Sequence, residues 1–506
     1  MKVLVYIGSH DNNSINEAFD QLESGKEVVV ICCDKSLGIC RDNYYGNKCY
    51  CKLCMRSNAD LWKDELTKRG AKIIYLSELI TDEDECIAND FTFDYSDVIS
   101  LKAITYKHVE IGFGAFSTYV SITRNVMPDF TDEFKKYENF LMRREIAVTS
   151  AVDRFIQQYR PELIILHNGR FAEFKPFLCL AQHYQIDYIT TEEVYFEGKV
   201  LKNNFYNAVV HDITANYEKY LENWESGTET EEEKKEIGHS FFKKRRGGQE
   251  SGDKAIYIKD QKKGLLPEGF KNNVEVISIF NSSEDEFCAV SSDYDSYMLF
   301  KNQYVGLKAI FDRYKDDNTK HFYLRIHPHL KTVPYRSHTK LYELKYDNVT
   351  IISPTSPVDS YVLMENSDKI IVFDSTMGVE SAYWGKPVIE LSKYMWSLMD
   401  VVYTPETTDE LWKLIETKDL KCRYNDNCLK YAYWVLHPNY EEEKHIKCVD
   451  VNISFFGRNI RQAHQFLRIC GSFKLNSIMR ILLTRKDIQT IFGRNTYFRK
   501  IPCTID

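Results

Sequence analysis

Three short segments concentrate the residue types that hold phosphates and sugar hydroxyls, and each follows an apolar run. Residues 274–280 lead into Asn281-Ser282-Ser283-Glu284-Asp285-Glu286, and residues 321–326 lead into His327-Pro328-His329. Residues 369–373 lead into Asp374-Ser375-Thr376-Met377-Gly378-Val379-Glu380. In an open parallel sheet, ligands collect beyond the carboxyl ends of the strands, so polar residues placed there are positioned to meet one ligand together. Small hydroxyl residues and a glycine at a helix start offer donors to a phosphate. Glu380, one turn further on, has the chemistry to accept bonds from ribose hydroxyls, and His327 has the chemistry to donate to a phosphate oxygen. Each has a plainer reading: Ser-Thr before a helix is a common cap, and a strand-end histidine is commonly structural. Their recurrence at three strand ends along one edge is what points to a site.

The elements that must carry these residues follow from periodicity. Apolar runs at 3–7, 27–32, 72–76, 163–166 and 187–190 read as strands; helices are expected at 14–22 (capped by Ser14), 59–69 (ended by Gly70) and 174–184. Residues 100–159 read as mainly helical, broken near 110–114 and at Pro128. The run at 163–166 is continuously apolar, as in a strand buried on both faces. Alternation at these lengths means βαβ units and a parallel sheet. Residues 222–271 interrupt the rhythm with two charge blocks, WESGTETEEEKKEIG and KKRRGGQESGDK, which read as an exposed linker or mobile loop. The alternation then restarts, with strands at 274–280, 321–326, 349–352, 369–373 and 387–391 and helices at 304–314 and 359–366. The expectation is an α/β chain with an amino-terminal Rossmann-like domain at 1–220, a polar linker at 221–271, a second Rossmann-like domain at 272–420, and helices with a basic tail at 421–506.

Composition sets limits on function. The 506 residues are 43% hydrophobic and 14% aromatic, enough for real cores, which excludes wholesale disorder. A net charge of −8 argues against a general nucleic-acid binder. That total averages over an uneven chain, because residues 458–500 hold ten Lys and Arg against one acid, Asp487. The tail mixes those charges with Leu, Ile, Met and Phe, a composition suited to lying on an anionic membrane surface, or to packing its apolar face on the acidic body. The opening apolar run is too short for a signal peptide, and no stretch approaches the length of a membrane span, so a cytoplasmic protein, peripheral to the membrane if the tail docks there, is expected.

The segment RIHPHLK, followed by SDKIIVFDSTMGVESAYWGKPVIEL, resembles the donor half of GT-B glycosyltransferases of the capsule and lipopolysaccharide biosynthesis type, similar in pattern to Kdo- and sialyl-transferases with a His-Pro motif. The strand ending in His167-Asn168-Gly169-Arg170, with the later Glu192-Glu193, resembles the acceptor half. The resemblance implies two Rossmann-like domains facing a cleft, with a carboxyl-terminal helical segment, and transfer of a sugar from a CMP- or UDP-activated donor to a glycan or lipid-linked acceptor. On this basis His327, Ser375 and Thr376, with Gly378 opening the helix and Arg325 assisting, would bind the donor phosphate. Glu380 would hold the ribose, and Ser282 and Ser283 would line the same cleft. His167, Asn168 and Arg170 would orient the acceptor or pair locally. His10, Asp11 and Glu193 are candidates for the base that activates its hydroxyl. Enzymes of this fold need no metal for the step. Asp293-Tyr294-Asp295 forms an Asp-x-Asp, but its polar surroundings read as a solvated loop.

Six of the 14 cysteines fall between Cys32 and Cys54. Cys33, Cys40, Cys51 and Cys54, the last two as a CxxC, are consistent with a structural zinc site that pins the loop 32–54. Reduced thiols buried in an irregular loop, and redox pairing, are the alternatives. Two other functions share the architecture: a nucleotide-sugar epimerase or a polyol-phosphate transferase, and a non-catalytic glycan-assembly protein.

Overall fold

The computed structural model describes residues 1–8, 12–44, 46, 51, 59–196, 199–249, 257–445, 453–455 and 458–460. The chain forms two compact units. The first comprises Met1–Arg124, Asp129–Val210 and Tyr440–Asp506, and the second Asn125–Pro128 and His211–Asn439.

The first unit is built on six strands: β1 (Lys2–Ile7), β2 (Glu27–Cys32), β3 (Lys72–Tyr75), β4 (Leu163–His167), β5 (Asp187–Phe196) and β6 (Lys199–Tyr206), in the order β3-β2-β1-β4-β5-β6. The first five are mutually parallel. β1 and β4 sit centrally, and their valines, leucines and isoleucines are buried on both faces, as continuous apolar runs require. β6 was not foreseen. It pairs antiparallel with a β5 that runs past Thr190 to Phe196, through polar residues that hide any period-two signal. Ser14 is no cap either: it lies inside the helix Asn12–Glu23, buried, with its hydroxyl 3.2 Å from that of Thr191.

The second unit holds five parallel strands: β7 (Glu275–Phe280), β8 (Lys320–Arg325), β9 (Val349–Ile352), β10 (Lys369–Val372) and β11 (Val388–Glu390), in the order β11-β10-β7-β8-β9. Its core gathers Ile277, Ile279, Phe322, Leu324, Ile371 and Ile389 with Leu307, Ile310 and Phe311 from the helix Gln303–Tyr314. The two parallel sheets share one topology. In each, the first strand is central, the next two follow on one side, and the fourth and fifth lie on the other. The order therefore reverses between β1 and β4 in the first unit and between β7 and β10 in the second, the points where α/β sheets open a crevice. The chain is α/β with two Rossmann-like domains.

The charged stretch expected as a linker is largely helical and belongs to the second unit. Thr230 caps the helix Glu231–Arg246 and exchanges bonds with Glu233 in a capping box. Glu231, Glu232 and Glu233 fill the first turn and Lys243, Lys244, Arg245 and Arg246 the last, so the two charge blocks complement the helix dipole. Phe241 and Phe242 are buried, and the helix packs on Asn427–Leu436, which also packs on Ile213–Ser226. Asp293 and Asp295 lie on a one-turn helix, Ser292–Asp295, capped by Ser291, not on an open loop. The expected helical carboxyl terminus is also only partly so. After Asn427–Leu436 the chain rejoins the first unit, where Glu442 bridges to Leu201 and the Lys202 N–H donates to the Glu441 carbonyl at 2.8 Å. Ile453–Phe455 and Arg458–Ile460 then pair as an antiparallel ribbon. The rest of the basic tail lies outside the described residues.

Candidate functional site

In the second unit, β7 and β10 are paired with Phe280 opposite Val372, so residues 281–283 and 374–376 leave the sheet side by side at its point of reversal. Asn281, Ser282, Ser283, Asp374 and Ser375 are all buried. Asn281 ties in the third strand end: its Oδ1 accepts the His327 N–H at 2.8 Å. Gln303 holds Ser282, donating from Nε2 to its Oγ at 2.8 Å. Ser283 donates to Asp285 at 2.7 Å. His327 Nδ1 accepts the His329 N–H at 3.2 Å, which places the imidazole proton on Nε2, and the ring lies edge-on to Tyr257 at 5.0 Å. The Ser375 hydroxyl accepts the Met377 N–H at 3.3 Å, and Thr376 precedes the helix Met377–Tyr383 without capping it through its side chain. That helix is seven residues long, so the hydroxyls carry the chemistry here more than any helix dipole does. Gly378 serves packing: a Cβ there would lie 3.0 Å from Trp396 Cδ1 and 3.3 Å from Val372.

Two residues expected to face the donor are committed elsewhere. Glu380 is 1% exposed; its Oε1 accepts from Arg245 Nε at 3.0 Å and its Oε2 from the Tyr361 hydroxyl. The carboxylate anchors the helix Glu231–Arg246 from within, and a ribose would have to displace one of these partners. Arg325 is buried and donates to the carbonyls of Ser353 at 2.6 Å and Ser356 at 3.2 Å, bracing the loop after β9. Burial lowers its guanidinium to about 10. Neither role has a local sequence signal, because both partners lie far along the chain.

The matching edge of the first unit collects the acceptor candidates. Asn168 takes the left-handed conformation at φ 53°, and its Nδ2 donates to Glu192 Oε2 at 2.6 Å. Arg41 donates to His167 Nε2 at 3.1 Å, so the His167 proton sits on Nδ1, where it is buried without a partner. Tyr6 Oη, Asn13 Oδ1 and Asn168 Oδ1 are likewise buried and unbonded. The guanidinium carbons of Arg41 and Arg170 lie 4.9 and 4.8 Å from the centre of the Phe171 ring. Burial works against the charge on Arg41, but Asp42, Glu173 and Glu192 outweigh it and keep the guanidinium firmly protonated. Sequence reasoning missed Arg41, which no motif marks; it reaches this edge because the cysteine-bearing loop carries it there. Gly8, just beyond β1, allows the close approach of Phe174, whose ring carbon would lie 2.6 Å from a Cβ. His10 and Asp11 lie outside the described residues, and Glu193 is placed only by its backbone, paired with Lys202.

The cysteines do not assemble a metal centre among the described residues. Cys33 and Cys51 are free thiols, and Cys54 lies outside the described set. Burial pushes the Cys33 thiol up to about 12, with Glu173 and Cys51 adding to the effect, and Cys51 accepts from Asn43 at 3.0 Å. Within the described residues, the metal-capable atoms that do converge are those of Asp20, Glu23 and His445. Asp20 is already paired with Lys202 and bonded at 2.9 Å to His445. Zinc therefore enters no step below.

Neither family models nor curated proteins match the chain. Solved structures do. A KpsC beta-Kdo 2,4 transferase from Thermosulfurimonas dismutans is similar over 53% of this chain and 78% of its own, at 15% identity and a TM-score of 0.34. A UDP-GlcNAc 2-epimerase from Neisseria meningitidis, bound to UDP-GlcNAc, is similar over 86% of this chain and 98% of its own, at 14% identity and a TM-score of 0.24. The calicheamicin glycosyltransferase CalG4 is similar over 97% of this chain and 98% of its own, at 10% identity and a TM-score of 0.21. Kdo transferases, a UDP-GlcNAc 2-epimerase and a further glycosyltransferase thus stand among the structures this chain is similar to.

Proposed function

We propose that the chain is a glycosyltransferase that moves a sugar from a nucleotide-activated donor, a CMP- or UDP-sugar, to a hydroxyl of a glycan or lipid-linked acceptor in surface-polysaccharide assembly. The observation that carries this reading is the convergence of Ser282, Ser283, His327, Ser375 and Thr376 at the reversal point of the second sheet. When the glycosidic bond breaks, the nucleotide departs with negative charge on its phosphate. His327, with its proton on Nε2, and the hydroxyls of Ser375 and Thr376 supply fixed donors that strengthen as that charge develops. Asn281 sets the angle of His327 through the backbone bond at 2.8 Å. The acceptor belongs to the edge of the first unit, where His167, Asn168, Arg41 and Arg170 offer the mixed donors and acceptors that sugar hydroxyls require. The base is left to His10, Asp11 or Glu193, and the basic tail to docking on an anionic membrane surface.

The test is thermal unfolding in the presence of CMP-, UDP- and GDP-sugars. One nucleotide class should raise the midpoint, and His327→Ala should abolish the shift. No shift with any class would favour a non-catalytic glycan-assembly protein. Incubating the stabilising donor without an acceptor separates the transferase from an epimerase, because only an epimerase would convert the sugar under those conditions.

A further inference from the structure

Asp374 and Glu390 close adjacent strands, β10 and β11, and neither carboxyl has a basic partner among the described residues. Asp374 Oδ1 accepts from the Ser392 hydroxyl at 2.6 Å, while its Oδ2 is buried and unbonded. Glu390, fully buried, accepts from Ser397 at 2.9 Å on Oε2 and leaves Oε1 unbonded. The groups packed around them add no compensating charge. Tyr294, whose buried hydroxyl is also unbonded, and Tyr297 come from the segment of the one-turn helix. Tyr394 lies beside both carboxyls, with Glu286 and Tyr431 acting on it in turn, and the His211 ring stands edge-on to Tyr294 at 6.4 Å. Asp374 is held at φ 44° directly before Ser375 and Thr376.

We infer that Asp374 and Glu390 hold one proton between them near neutrality, and that docking of an anionic phosphate at Ser375 and Thr376 requires a second, taken up by Asp374. The second half rests on the donor site proposed above; the first half does not. Val372, two residues before Asp374, pairs with Glu390 across β10 and β11, so the two buried carboxyls stand at neighbouring strand ends; two such carboxyls resist ionising together and titrate as a pair. Burial pushes Asp374 up to about 6 despite the bond from Ser392, and Glu390 is raised well above the ordinary carboxylate range by burial and then by Asp374. A phosphate arriving next to Asp374 adds a further negative charge and raises the pair again. At a pH where Asp374 is ionised in the free protein, docking must therefore draw that second proton from solution. Asp374 acts as a positioning residue, through the field it sets at its neighbours.

The ligand-free experiment is an infrared difference spectrum between the wild-type protein and the Asp374→Asn/Glu390→Gln double variant at about pH 7. One protonated carboxyl should appear; its absence overturns the shared proton. The docking half is read by calorimetric titration with UDP-N-acetylglucosamine and CMP-N-acetylneuraminate, whose phosphate esters do not titrate near neutrality, in two buffers of different ionisation enthalpy. At about pH 8, binding should take up nearly one proton, and affinity should fall toward about tenfold per pH unit. Asp374→Asn should bind without uptake; Glu390→Gln, the milder change, should keep the uptake with a lower midpoint. Wild-type binding with no proton uptake overturns the coupling. If neither sugar nucleotide binds at any pH, the donor site is refuted and the docking half with it, while the infrared result still judges the pair.

Discussion

Replacing Arg245 with methionine should destabilise the second unit by about 3–4 kcal/mol at pH 7, and by much less in mild acid. The side chains of Arg245 and Glu380 are 11% and 1% exposed and bonded at 3.0 Å, with Tyr361 on the other carboxylate oxygen. Methionine keeps most of the packing volume but leaves Glu380 buried with one neutral donor. Breaking a buried pair in this way costs about 3–5 kcal/mol if the charge persists. The variant can escape by keeping a proton on Glu380. An unfolded-chain glutamate titrates near 4.3, so holding that proton costs about 1.4 kcal/mol per pH unit above it, or about 3.7 kcal/mol at pH 7 and about 1 kcal/mol at pH 5. The smaller of the two costs governs, and the penalty should shrink as pH falls. Urea unfolding followed by tryptophan fluorescence at the two pH values measures it, with the buried Trp396 as a reporter. Arg245→Met/Glu380→Gln should recover most of the loss. A penalty below about 1 kcal/mol at pH 7, or one equal at both pH values, would refute the assignment of Glu380 as an internal anchor.

Glu138 and Glu145 face the interior of the first unit with all four carboxylate oxygens buried and unbonded, and burial raises both far above the ordinary carboxylate range. The folded state then binds more protons than the unfolded chain above about pH 4.3, so stability must fall as pH rises. Glu138→Gln should therefore stabilise the protein at pH 7.5 by about 1 kcal/mol or more and change little at pH 4.5, read as denaturant midpoints; equal effects at both would contradict a neutral buried acid. Gly378→Ala should cost about 1–3 kcal/mol, because the added methyl meets Trp396 at 3.0 Å and Val372 at 3.3 Å in a packed core. An alanine variant of wild-type stability would show that Trp396 can yield, and that Gly378 has some other reason to be there.

The elements of the two sheets were largely legible in the chain, because a strand buried on both faces reads as a short continuous apolar run, and residues 163–166 and 370–373 are that. The polar strand ends were legible for the same reason: a run that stops abruptly at Asn281, His327 or Asp374 marks where the sheet meets solvent or ligand. The hairpin strand β6 was not, since Lys202, Asn203 and Asn204 break any alternation. Nor was the helix Glu231–Arg246, whose charge reads as a solvated linker until its ends are seen to match the helix dipole.

The sequence by itself determined the α/β class and the set of hydroxyls and imidazole gathered at one sheet edge, since both follow from periodicity along the chain. Only the tertiary structure decided how the charged groups are used. Glu380 looked free to meet a ribose and is instead bonded to Arg245, 135 positions away in the chain. Arg325 holds a loop, Arg41 reaches His167 with no motif to announce it, and Asp374 and Glu390 are buried without a counter-ion among the described residues. A carboxyl or guanidinium is defined by what lies within a few ångströms of it, and in a parallel sheet those neighbours come from distant crossovers that no local pattern records.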